Sequence, residues 1–431
     1  MKRFVLIIYS TICLLTGAFA TSDSIRVAFS YKCLFRDSNL QSLINQALQS
    51  NIDLLTARQK TIEAETLLGS ARSSLLPKVS ADASGSVTNF MGATSKSYKY
   101  GITPSWDVDI FGRMSNTKRS AAANVEASRA YAQVVQASVI ATVAKSYYTL
   151  LMLDQQKTIS EESLKSWQRT VEALEALRDV GKQNDVAVLS AKANVMQLKS
   201  SMIDIQKNIA FSEHAIRVII GDSTSCKKII RGCIEDETFP ENITQGISLN
   251  IINNRPDVYQ ALMLLKAAGY NVKSARADFY PHLTLSGCIG WTNNGVSVTN
   301  PGKIILEALG SFTVPILNHG ALKANLKIAK AQRDEASLTW QKTLLIAGQE
   351  VNDAITTWQT ANEQIESCQN QIKTLTDALE KTKLLMQNSS ITYLEVLTAQ
   401  QSLLNARTTL AQNQYVKIEG VINLYQAIGG M

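Results

Sequence analysis

The side chains able to do chemistry are few and scattered. The only histidines are His214, His282 and His319, and none has ligand spacing or a nucleophile motif attached. They read as packing or surface residues. Acidic residues lie mostly beside lysine and arginine on polar helix faces, the pattern of a solvated surface. No glycine loop would cradle a phosphate, so no enzyme, cofactor or metal site is expected, and energy for any transport must come from a partner. The net charge of +7 is spread along helices, with no basic block that would track a phosphate backbone, so no nucleic acid is expected.

Cysteine chemistry depends on the compartment. Lys2 and Arg3, an apolar core from Phe4 to Leu15, and Ala18-Phe19-Ala20 read as a signal peptide over residues 1–20. The mature chain then starts near Thr21, outside the cytoplasm. It loses Cys13 and keeps Cys33, Cys226, Cys233, Cys288 and Cys368 in an oxidising compartment. The remaining number is odd, so at least one thiol has no intrachain partner. Cys226 and Cys233 are the pair best placed to bond, closing a short loop with no histidine nearby for a metal site, while the connectivity as a whole stays open.

The frame that must position these residues is duplicated. Shifted by 208 positions, Gly112 falls on Gly320, Val143 on Val351, Val188-Leu189-Ser190-Ala191 on Val396-Leu397-Thr398-Ala399, and Gly221 on Gly429. Neither copy contains proline. The chain therefore divides into a first repeat, 21–221, a connecting equatorial segment, 222–252, and a second repeat, 253–431.

Each half reads as helix, hairpin, long helical stretch. Residues 37–73 are helical in pattern, starting at Asp37 or Ser38, and Pro77 ends them. From Lys78 to Thr88 the odd positions are apolar or small and the even ones polar. Met91–Ser97 reads as a turn, and alternation resumes from Tyr98 to Ile110, giving a hairpin over 78–111. Arg255-Pro256-Asp257 opens the second helix, Pro281 closes it, and a hairpin over 282–317 follows with turn residues at Asn293-Asn294-Gly295 and Pro301-Gly302. The long helical stretches are 112–221 and 320–429.

Length decides what those stretches are for. Residues 113–180 have no glycine or proline, and an unbroken helix of that size would span on the order of 100 Å. Apolar residues such as Tyr131, Val135, Val139, Val143 and Tyr147 recur at supercoil spacing, as in helices packed side by side into a tube. Gly181-Lys182-Gln183-Asn184 and Gln387-Asn388-Ser389-Ser390 occupy matching places and are the expected tips, on the side opposite the hairpins. Past the first twenty residues no run is apolar enough for a spanning helix, so any membrane crossing must be made of strands. Four strands cannot close a barrel and eight fill their own lumen, whereas three chains give twelve strands and an open bore.

At these residues the chain resembles a known family. Trp106-Asp107-Val108-Asp109-Ile110-Phe111-Gly112, Asn254-Arg255-Pro256-Asp257-Val258, Ala275-Arg276-Ala277-Asp278-Phe279-Tyr280-Pro281 and Tyr393-Leu394-Glu395-Val396-Leu397 are similar to the motifs of TolC-type outer-membrane efflux proteins, nearest the NodT subgroup. The implied fold is mixed α and β, mainly α. It is a long coiled-coil α-helical barrel plus a four-strand-per-chain contribution to a trimeric 12-stranded transmembrane β-barrel, with internal duplication. The resemblance implies a homotrimer in outer-membrane lipid with its tunnel in the periplasm, docked through a periplasmic adaptor to an inner-membrane transporter. It places Glu395 in an acidic ring at the periplasmic gate. The matching first-half residue is Ala187, with Asp185 two places earlier as the other gate candidate. Gly181 matches a tip glycine that meets the adaptor, and Ser389 stands where the second would be. Relatives in the subgroup carry a lipidated cysteine after the signal, but Cys13 follows Ile12 and Cys33 follows Lys32, so no N-terminal acyl chain is expected.

The expected function is a passive, gated exit duct of a tripartite efflux pump for small toxic compounds, drugs or metal ions. A duct of a type I protein secretion system is the alternative within that class. A structural envelope coiled coil without a pore is the alternative from another.

Overall fold

The computed structural model describes residues 31–90, 93–222, 229–232, 255–293, 303–314, 319–387 and 393–430. The chain splits into two compact units: Met1–Thr56 with Gln133–Arg255 and Leu345–Met431, and Ala57–Ala132 with Pro256–Leu344. In chain order the described elements are α1 (Tyr31–Leu34), α2 (Ser38–Ser50), α3 (Ile52–Ser73), β1 (Lys78–Phe90), β2 (Ala93–Val108), α4 (Arg113–Asp179), α5 (Asp185–Ile219), α6 (Pro256–Ala277), β3 (His282–Thr292), β4 (Lys303–Thr313), α7 (Ala321–Gln387) and α8 (Tyr393–Ala427). No described helix is long and apolar enough to cross a membrane.

The duplication is carried by element lengths. Helices α4 and α7 each have 67 residues, and α5 and α8 each have 35, with starts 208 apart in both pairs. Helices α3 and α6 each have 22, with starts at 52 and 256, 204 apart. The change of offset falls between them, in the hairpins.

Two boundaries differ from the pattern of the sequence. The stretch 37–73 is not one helix: Asp37 caps α2 by accepting from Asn39 N–H, but Asn51 leaves the helical conformation and separates α2 from α3. Its side-chain amide donates to the Ile219 carbonyl at 2.9 Å and its side-chain oxygen accepts from Leu54 N–H, so a partner 168 residues away fixes the break. Residues Ala93–Ser97 are strand, not turn, because Ser95, Lys96 and Ser97 pair with Thr88, Val87 and Ser86.

The first unit is closed by a core from α2, α4, α5, α7 and α8, centred on Leu40, Ile44, Ile140, Val143, Tyr148 and Tyr425. Tyr147 donates to Asp37 and accepts from Gly232 N–H at 3.1 Å. Burial, then the facing Asp37, pushes its phenol well above the ordinary value, so it stays a donor. Arg231 bridges Asp154 of α4 and Glu213 of α5, and Arg255 is buried against Glu350 and the Ala427 carbonyl, both at 2.7 Å. The buried Arg255 and the half-buried Arg231 thus each have a carboxylate partner.

The second unit holds one antiparallel sheet in the order β1-β2-β3-β4. At the foot of β2, Asp109 accepts from Met114 N–H at 3.0 Å and Ser115 N–H at 2.7 Å, satisfying free donors at the start of α4. Burial opposes its charge, but the bonds from Ser115 and Met114 and the adjacent Arg113 outweigh it and hold the carboxyl below the usual range. A lowered carboxyl gives stability that is full above the unfolded pKa and is lost as pH falls through the folded one. Asp109→Ala is therefore expected to cost about 1 kcal/mol at neutral pH. Thermal melting should show the variant and the parent converging as pH drops below about 4, the ordinary aspartate range.

Candidate functional site

Register makes the apolar faces of all four strands one surface. Ala83, Tyr100, Trp291 and Ile304 form one row across the sheet, and Ala81, Ile102, Ile289 and Leu306 the next. This face is uncovered: Leu306 is 81 % exposed, and Ile304, Ile289, Phe312 and Ile102 are exposed with it. An open apolar patch of this size is an interaction surface rather than an ordinary exterior. Tyr98, Tyr100 and Trp291 stack near the hairpin turns, with ring centroids 6.1 and 5.4 Å apart. Trp106 and Phe312 lie toward the other ends of their strands, and Trp106 Nε1 donates to the Leu75 carbonyl at 3.0 Å. Aromatic residues flanking an aliphatic band are what a lipid-facing wall requires.

The opposite face is polar. Its rows include Asp82, Gly101 and Gly290, then Ser84, Lys99 and Thr292, then Asp107, Thr284 and Ser311, with Ile305 and Leu309 of β4 as apolar exceptions. Asp107 accepts from the Thr284 hydroxyl at 2.7 Å, and Lys99 and Glu307 approach to 3.9 Å. At the centre the β2 and β3 backbones meet through paired glycines. A Cβ on Gly290 would lie 2.6 Å from the Gly101 Cα and closer still to the Tyr100 oxygen. This constraint escaped the sequence reading, although glycine on the polar parity of both strands is the signal that carried it.

The second feature is the helical tip of the first unit. Leu174, Ala187, Val188, Leu379, Val396 and Leu397 share one buried cluster, so the end of α4 and the start of α5 pack with the last turns of α7 and the start of α8. Gly181 has φ +73°, with Gly181 N–H on the Arg178 carbonyl and Lys182 N–H on the Leu177 carbonyl, both at 2.8 Å. That helix-ending arrangement needs a left-handed residue, and among the described residues nothing lies within 4 Å of where a Cβ on Gly181 would stand. Asp185 opens α5 and pairs with Arg178 at 3.6 Å. Glu395 lies exposed in the first turn of α8, with no hydrogen-bond or ion-pair partner among the described residues. Its counterpart Ala187 is fully buried, so the two halves put different chemistry at the same place.

Ser389, Cys226 and Cys233 lie outside the described residues, as does the signal peptide. Among the described cysteines Cys33 is exposed, Cys288 and Cys368 are buried, and all are free.

With this geometry in hand, comparison with known proteins gives a consistent result. The chain matches the family described as outer membrane efflux protein over residues 43–222 and 248–430. It is 28 % identical over 404 residues to the cation efflux system protein CusC of Escherichia coli, covering 93 % of this chain and 88 % of that one. It is 26 % identical over 434 residues to the toluene efflux pump outer membrane protein TtgC of Pseudomonas putida, covering 96 % and 88 %. A crystal structure of CusC superposes with a TM-score of 0.86 at 27 % identity, covering 93 % of this chain and 94 % of that one.

Proposed function

From the premise that the chain belongs to the outer membrane efflux protein family, we propose that three copies form the passive, gated outer-membrane duct of a tripartite efflux system. The observation that carries this reading is the uncovered apolar face running through all four strands, backed by a polar face suited to water. A pore-free envelope scaffold would have no use for that wall. The cargo class follows from relatives named for cation and toluene efflux: metal ions or small toxic organic compounds. Nothing in this chain supplies energy, so the proposal includes a periplasmic adaptor meeting the tip around Gly181 and Ser389, and an inner-membrane transporter behind it.

Glu395 is proposed as the gate residue. Two ion pairs brace the first helical hairpin: Lys192 with Glu175 at 2.6 Å and Arg178 with Asp185 at 3.6 Å. At the positions 208 later stand Gln400 and Lys383, and Met386 and Tyr393, so neither pair has a counterpart. Such exposed pairs are worth only about 0.2–1 kcal/mol each. Arg178 is bound to Asp179 at 2.7 Å and reaches Asp185 at 3.6 Å, whereas no cation pairs with Glu395 among the described residues, and three such carboxylates around an axis would draw cations.

The test is the purified protein in planar bilayers under a salt gradient. The parent should conduct with cation preference, and Glu395→Gln should move the reversal potential toward zero. An unchanged potential in Glu395→Gln removes the gate role, and silent bilayers for every variant remove the duct.

A further inference from the structure

The helices that adjoin the sheet all meet it at one end. Helix α3 runs into β1 at Lys78, β2 leaves for α4 after Val108, α6 enters β3 at His282, and β4 leaves for α7 after Thr313. Antiparallel pairing of Lys78 with Ser105, Val108 with Leu283 and His282 with Thr313 sets these junctions side by side. An exposed aromatic stack marks their level, Phe111 on Tyr280 with ring centroids 4.8 Å apart. Aromatic side chains concentrate at a membrane–water boundary in this way.

Charge is segregated at that end. Residues 66–78, from the last turns of α3 into β1, carry Arg72 and Lys78 and contain no Asp or Glu. Residues 113–125 of α4 carry Arg113, Lys118 and Arg119, and residues 321–333 of α7 carry Lys323, Lys327 and Lys330, again without an acid. Helix α6 has no acid after Asp257 and ends on Lys273 and Arg276. Acidic residues resume at Glu126 on α4 and Asp334 on α7, 208 positions apart and therefore equally deep. The carboxylates at the junctions are already engaged: Asp107 by the Thr284 hydroxyl, Asp109 by two N–H groups of α4, and Asp278 by Arg113 at 3.9 Å. Arg119, Lys323 and Lys327 are exposed and have no ion-pair partner among the described residues.

Like charges at this density repel one another unless an anion meets them. We propose that these helix ends form a basic collar that binds the anionic phospholipid headgroups of the leaflet on the helix side of the sheet. The depth agrees. A headgroup layer extends roughly 5–7 Å beyond the hydrocarbon, and screening at physiological salt leaves about 8 Å of further reach. The acid-free stretch of α4 and of α7 is about 20 Å deep, a distance that flexible lysine stems make up. Each basic residue at an anionic surface strengthens attachment to it about fivefold. The proposal rests on the outer-membrane reading above and adds to it the lipid that the wall selects.

Trp106 supplies the reporter, since it lies near the foot of β2 on the apolar face. The full protein is reconstituted in vesicles of phosphatidylcholine and phosphatidylglycerol, with one lipid or the other brominated. Quenching of tryptophan fluorescence then gives the relative binding constant of the two lipids. Phosphatidylglycerol should be preferred several-fold at low salt, and the preference should fall toward equality at high salt. Lys118→Gln, Arg119→Gln, Lys323→Gln and Lys327→Gln combined should bring the low-salt constant close to one. Lys373→Gln with Lys381→Gln, farther along α7, should leave it unchanged. Equal quenching by both lipids in the parent overturns the collar without any variant having to fold, and so does a preference that survives the combined variant. Equal quenching together with charge-dependent retention on purified peptidoglycan would assign the basic residues to the wall polymer instead. Absence of quenching by either brominated lipid would overturn the lipid-facing wall itself, a different failure from loss of the preference.

Discussion

Ile102→Arg is expected to leave almost no assembled trimer in the outer membrane. Ile102 lies midway along β2, in the row with Ala81, Ile289 and Leu306, with Tyr98 and Tyr100 toward one end of its strand and Trp106 toward the other. An arginine at the hydrocarbon midplane costs about 2–4 kcal/mol, and a trimer takes that cost three times. The side chain cannot snorkel easily from the centre of the band, so little of the cost is relieved. The adjacent residue provides the control. Thr103 faces the other way, and Thr103→Arg should assemble normally and change only the selectivity of the bore. The measurement is the heat-labile trimer band in separated outer membranes. Equal amounts for the two variants would mean that the faces have been assigned wrongly.

The second large effect needs only one methyl group. Gly290→Ala is expected to separate β2 from β3 at their centre, because the new Cβ would meet backbone atoms of Tyr100 and Gly101, which have no rotamer to adopt. Gly101 opposite offers no relief, since a Cβ there would be 2.7 Å from the Ile289 oxygen. The β2–β3 ladder joins the two hairpins, so its loss leaves two separate two-stranded ribbons, which are marginal in isolation. Gly85→Ala, by contrast, meets only the Ser97 oxygen at 3.7 Å, an ordinary contact, and should be tolerated. Comparable trimer yield from Gly290→Ala would show that the two backbones do not approach as closely as described.

Much of the architecture was legible because it depends on periods and lengths. The absence of glycine and proline after Gly112 gives α4 its 67 residues, and alternation from Lys78 and from Tyr98 gives the strand faces that pair in the sheet. What stayed hidden depends on partners distant in sequence. Asn51 breaks a helical pattern because the Ile219 carbonyl is in reach, and no local signal announces that. Ala93–Ser97 reads as a turn because Thr94, Ser95, Lys96 and Ser97 are all polar, and only pairing with β1 makes them strand. At the tip, the family resemblance placed Glu395 at the gate position and left Asp185 two residues before Ala187, the residue that matches it. What the sequence did not show is that Arg178, bound to Asp179, also comes to 3.6 Å from Asp185 once the chain has turned at Gly181. The clamps of Arg231 and Arg255 were likewise invisible as clamps, since each guanidinium meets its carboxylate partners, Asp154 and Glu213 for one and Glu350 for the other, only in the folded chain.

The most direct test of the central claim is the native mass of the mature protein extracted in detergent from separated outer membranes. The account predicts a stable species of three chains in that fraction, because four strands per chain close an open barrel only as twelve. A monomer or dimer recovered without detergent would contradict it. The apolar face of the sheet would then be something other than a lipid-facing wall.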